Sequence, residues 1–119
     1  MLACAQAHVN MKIVIIGSMS FVNDMIKTKK KLDKLGHKAS IPHGTEPHLK
    51  DSSFVDNLKE NLERCIKNNV MRMNFDLVAQ NDAVLVLNHK KNGVDGYIGI
   101  SALMEMAVAH HLNKKIFLL

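Results

Sequence analysis

The 119-residue sequence contains no Trp and one Tyr, and aromatic residues make up only 4% of it. That is too few for the stacked aromatic platform on which proteins hold single-stranded nucleic acid. Arg is nearly as scarce, with 14 Lys against 2 Arg. The guanidinium fork that reads base edges is almost missing, so a nucleic-acid polymer is not an expected partner. The net charge of +5 and the pI of about 9.3 read instead as solubility and a mild pull on small anions. No apolar run approaches the roughly 18 residues of a membrane span, so no membrane partner is expected. The two cysteines, Cys4 and Cys65, match neither a disulfide framework nor a metal-ligand spacing, and a reducing, cytoplasmic compartment fits them. The histidines are scattered. His110 and His111 point about 100° apart on a helix, too far to share one metal, and only His89, after the third strand, stands near an expected site. There is no G-x-G-x-x-G run and no Walker A loop. Neither a metal nor a cofactor is expected.

What remains is an ordinary globular composition, 47% hydrophobic and 23% charged, enough for one domain with its own core. Residues 1–10 lack a basic n-region and a long apolar h-region. They read as an N-terminal extension with little structure, ahead of a single α/β domain over 11–119 that begins at a second methionine, Met11. Lys12–Gly17 (KIVIIG) and Ala83–Leu87 (AVLVL) are continuous apolar runs, the mark of strands buried on both faces. Lys38–Pro42 and Lys115–Leu119 are further strand candidates, and Pro42–Lys50 reads as loop. Helical periodicity covers Phe21–Leu35, Phe54–Asn69, Val70–Asn81 and Ser101–Leu112. In the second of these the stripe Val55, Leu58, Leu62, Cys65 and Ile66 is expected to face the core.

The order β-α-β-α-α-β-α-β predicts a three-layer α/β fold. Its parallel sheet has about four to five strands, with helices on both faces, flavodoxin- or Rossmann-like. The two apolar runs should be adjacent central strands. Ligands of such sheets bind beyond the carboxyl ends of the strands, which directs attention to the loops after Gly17 and Leu87.

The first loop is Gly17-Ser18-Met19-Ser20. Gly17 permits a tight turn, and Ser18 and Ser20 offer hydroxyls that suit an anion or simply cap the next helix. The second runs from Asn88 through Gly96, Tyr97 and Gly99 to Ser101, with glycines that let a backbone approach a ligand closely. Glu105 then stands alone in an apolar helix. Its neighbours one turn away are Ser101, Ala102, Val108 and Ala109, none able to pair with its charge. A carboxylate so placed serves as nucleophile or general base, or else merely complements the helix dipole and points to solvent. Asp76, on the preceding helix, is a secondary catalytic candidate. The last helix is apolar almost all round, from Leu103 and Met104 to Leu112, so a homodimer or higher oligomer is expected.

The segments Asn81–Asn88, Gly96–Gly99, Leu103–Ala107 and Asn113–Leu119, with the opening strand and its Gly17–Ser20 loop, resemble the nucleoside 2-deoxyribosyltransferase family. The resemblance spans roughly residues 12–119. It implies cleavage of the N-glycosidic bond of a deoxynucleoside with transfer of the sugar to another base, or hydrolysis of a nucleoside 5′-monophosphate as in some relatives. By position it makes Glu105 the sugar-binding nucleophile and sets Gly17 and Ser18 near the base or phosphate. The sequence departs from the family in three places. Asn74 stands at the spacing where an aspartate is common, with Asp76 two residues later, and Ile100 stands where a second glycine is frequent. The family also continues past the counterpart of Leu119, where a residue of the transferases completes a neighbour's site. A non-catalytic nucleotide-binding module and an oligomeric scaffold are the alternatives from other classes.

Overall fold

The computed structural model describes residues 10–119, so residues 1–9 of the expected extension, with Cys4, lie outside the described residues. Four strands form one sheet: β1 (Lys12–Gly17), β2 (Lys38–Ser40), β3 (Ala83–Leu87) and β4 (Lys115–Leu118). All are parallel, in the order β2-β1-β3-β4. β1 and β3 are therefore adjacent and central, as their apolar runs require. Alternate residues of β1 enter different cores. Val14 and Ile16 pack with Val84, Val86, Val78 and Ala109, while Ile15 packs with Met25, Phe21 and Leu87. Helices thus cover both faces. α1 (Val22–Lys34) supplies Met25 on one face, and α4 (Val70–Gln80) and α5 (Ile100–His111) supply Val78 and Ala109 on the other. No helix among the described residues is long and apolar enough to cross a membrane.

The Asp82 carboxylate secures the start of β3 by accepting a hydrogen bond from the Lys12 backbone N–H at 2.8 Å. At the other end, Gly17 is paired with Leu87. Its φ is +156°, and a Cβ there would lie 2.9 Å from the Leu87 carbonyl oxygen, which is main chain and cannot swing away. Gly17→Ala is accordingly expected to destabilise the fold by about 2–4 kcal/mol, from overpacking with added backbone strain. A urea midpoint unchanged by this substitution would show that the two strands can part more readily than their packing implies.

The connection between β2 and β3 departs from the sequence expectation. The segment read as loop contains a short helix, α2 (Glu46–Lys50). The helix predicted from Phe54 divides into a 3-10 turn (Ser52–Asp56) and α3 (Leu58–Lys67). Asn57 causes the division. Its side chain accepts from the Glu60 N–H and donates to the Glu60 carboxylate at 2.7 Å, a reciprocal cap that starts a new helix. α3 then rests on α4 rather than on the sheet. It buries none of its described side chains, and Cys65, expected in the core, is only half-buried.

Candidate functional site

The chain leaves β1 toward β2 on one side and reaches β3 on the other, so the strand order switches between β1 and β3. A cavity of about 380 Å³ opens at their carboxyl ends. Gly17, Ser18 and Met19 line it from the loop after β1, Tyr97, Gly99 and Ser101 from the loop after β3 and the start of α5. Glu105 lines it from the second turn of α5. The two loops and the carboxylate singled out in the sequence therefore meet in one place.

Glu105 is 7% exposed, which removes the reading of a solvent-facing helix acid. It shares the inward face of α5 with Ala102 and Ala109, whose small side chains leave room for a carboxylate. Burial pushes its carboxyl up from the ordinary 4.5 to about 7, and no charged or hydrogen-bonding neighbour offsets that. Among the described residues it is the sole carboxylate lining this cavity. It also lines an adjoining hollow of about 460 Å³ between α3, α4 and α5, whose walls are mainly apolar: Leu58, Leu62, Met71 and Met104 among them.

Five of the sequence candidates stand apart from the cavity. Asp76 lies on the exposed side of α4, because the buried face of that helix is set by Val70, Asn74 and Val78. A residue two places from Asn74 points some 200° away from it. Ser20 is exposed and uses its N–H to reach Ser18 Oγ at 3.2 Å. Asn88 is half-buried beside Gly96, and neither lines the cavity. His89 packs edge-on against Phe21 and faces Asp24 at 3.9 Å.

The opposite wall comes from the β2–β3 connection, which the sequence reading passed over. Asn74 does reach the cavity, but its amide is engaged. Its Oδ1 accepts from the His43 N–H at 2.8 Å and its Nδ2 donates to the His43 carbonyl at 3.5 Å. Arg64 donates to the Gly44 carbonyl at 3.1 Å and lies 5.5 Å over the Phe54 ring. His48, 4% exposed, meets the edge of the same ring. Its imidazole is held below its ordinary pKa by burial first and by the Arg64 charge second. Lys91, also unremarked in the sequence, reaches across from the loop after β3 and donates to Ser18 Oγ at 2.8 Å. The Asn92-Gly93 dipeptide was the available signal, since it marks a tight hairpin that fixes its flanking residues. Among the described residues no three His, Cys, Asp or Glu side chains cluster as a metal site would require. No family model matches the chain, and a search of curated proteins finds no match.

Proposed function

We propose that the protein acts on the N-glycosidic bond of a deoxynucleoside or nucleoside 5′-monophosphate, with Glu105 as nucleophile. The observation that carries this reading is a buried carboxylate with no ion-pair partner, lining a cavity at the strand switch point. A carboxylate with no ion-pair partner to hold its charge can bond to an electrophilic carbon. In the reaction a Glu105 oxygen bonds to the anomeric carbon as the bond to the base nitrogen breaks. The electron pair leaves with the base, which takes up a proton. Water, or a second base, then attacks the same carbon and releases the carboxylate. The resemblance of the Gly17–Ser20 and Gly96–Ala107 segments to nucleoside 2-deoxyribosyltransferases supports the substrate class.

The test is release of free base from a panel of deoxynucleosides and their 5′-monophosphates, followed by chromatography. A 2-fluoro-substituted sugar should trap the intermediate and add its mass to the peptide containing Glu105. A second reading, a nucleotide-binding module without catalysis, draws on Asn74. The amide stands where the family commonly has an acid, and it is committed to the backbone of His43. Binding without base release from any member of the panel would select that reading.

The reading includes a homo-oligomer, at least a dimer. The apolar residues that α3 and α5 leave uncovered, Leu58, Leu62, Ile66, Ile100 and Leu103, form the basis for it.

A further inference from the structure

His48 stands in the cavity wall that the β2–β3 connection supplies. Its N–H closes the turn of α2 on the Thr45 carbonyl at 3.0 Å. Its imidazole meets the Phe54 ring edge-on, with 5.1 Å between centroids. Arg64 covers that same ring and ties α3 to the Gly44 carbonyl just ahead of α2. Three elements thus fix one side chain that is 4% exposed.

The two ring nitrogens are placed differently. Nδ1 is enclosed and has no hydrogen-bond partner. The side chain nevertheless lines the cavity, which leaves Nε2 as the nitrogen to face it. A buried polar atom without a partner is costly, and folded proteins keep few of them. Protonation of the ring would add a charge beside Arg64 and an unmatched Nδ1–H. Burial and the Arg64 charge accordingly hold the imidazole below its ordinary pKa, and among the described residues no carboxylate pairs with it. At pH 7 a neutral imidazole with room for a proton therefore faces the cavity that Glu105 lines from the other side.

The glycosyl reaction needs such a group. Once the base has left and the sugar is bonded to Glu105, the water that displaces it must lose a proton. Asn74 cannot take that proton, because its amide is held by the His43 main chain. Cys65 turns its thiol to Asn61 Oδ1 at 3.7 Å. His43 also lines the cavity, but it is exposed and bulk water satisfies it. We infer that His48 is the general base of the second step, its Nε2 accepting a proton from the attacking water. The water oxygen bonds to the anomeric carbon as the bond to Glu105 breaks, and that electron pair returns to the carboxylate. The proton on His48 then passes to solvent. The inference rests on the proposed role of Glu105 as nucleophile.

Rapid-quench measurement of base release from the deoxynucleoside panel, with the parent, His48→Gln and His48→Ala, tests it. In His48→Gln one equivalent of base should appear at the parent's rate, after which turnover falls roughly a hundredfold or more. kcat and KM should drop together and leave kcat/KM near that of the parent, because the first step is untouched. Mass spectrometry during turnover should find the ordinary deoxyribosyl group on the peptide containing Glu105. In His48→Ala, added imidazole should restore turnover by filling the vacated place. Circular dichroism reports whether the variants fold. An unchanged kcat in His48→Gln, or a fall in kcat/KM with neither burst nor adduct, would overturn the general base and leave the nucleophile standing. Loss of fold in both variants would overturn it too, by assigning His48 to structure alone. No base release from the parent removes the nucleophile, and this step with it.

Discussion

Glu105→Gln is expected to abolish base release and, at pH 8, to make the protein more stable than the parent. Loss of a nucleophile lowers turnover by roughly a thousandfold or more. The gain in stability follows from the same burial that suits the carboxylate to its task. Its pKa is raised from 4.5 to about 7 on folding. The native state therefore holds a proton over a pH range in which the unfolded chain has already lost it. The stability that proton brings is fully present below about pH 4.5, declines as pH rises, and is gone above about pH 7. A shift of this size corresponds to at most about 3 kcal/mol. An amide never ionises, so the variant escapes the loss. Urea midpoints of parent and variant from pH 4.5 to 8 should diverge as pH rises, with the variant the more stable at the upper end. Parallel curves would mean that Glu105 is well solvated in the folded protein. In the parent, kcat/KM should rise with pH through about 7, because only the ionised carboxylate attacks.

If the proposed dimer forms, the double substitution Leu62→Lys with Ile66→Lys is expected to leave a monomer with its fold intact. These residues are 61% and 71% exposed on α3, and Leu58, one turn earlier, is 75% exposed. Ile100, which begins α5, is 80% exposed and lines the same apolar hollow as Leu58 and Leu62. Each such side chain contributes about 1.5–3 kcal/mol when removed from water, which is the drive for two copies to associate through this face. Lysine at both positions places two charges in that contact, whereas in a lone subunit they stay in solvent and cost little. Multi-angle light scattering at micromolar concentration reads the result directly. A parent protein that runs as a monomer would end the oligomer reading.

The contrast between α3 and β1 shows how far the residues alone reach. Lys12–Gly17 and Ala83–Leu87 could be recognised because a strand buried on both faces is apolar at every position, and no other short element reads that way so economically. Their adjacency at the centre followed from the same double burial, and their loops from the alternation of elements. Glu105 was legible for a similar reason, as a lone charge among small apolar neighbours. In α3 the stripe was equally clear, but periodicity states only which residues share a face. It is silent on what covers that face, and here the Asn57 cap and packing on α4 turn the stripe away from the sheet. Asp76 was misplaced for want of helical phase, since Val70 and Val78 already put Asn74 inward and Asp76 outward.

The amino-acid sequence by itself determined the order of elements, the central strands, the Gly17–Ser20 loop and the isolated carboxylate, because each rests on interactions within a few residues or on burial of a whole run. Only the tertiary structure decided which groups share the cavity with Glu105. Lys91 meets Ser18 from 73 residues away, and Asn74 grips His43 from 31 residues away. Those contacts exist because parallel strands bring distant carboxyl ends side by side, about 4.8 Å apart, and no local pattern of residue types records which loops will face each other there.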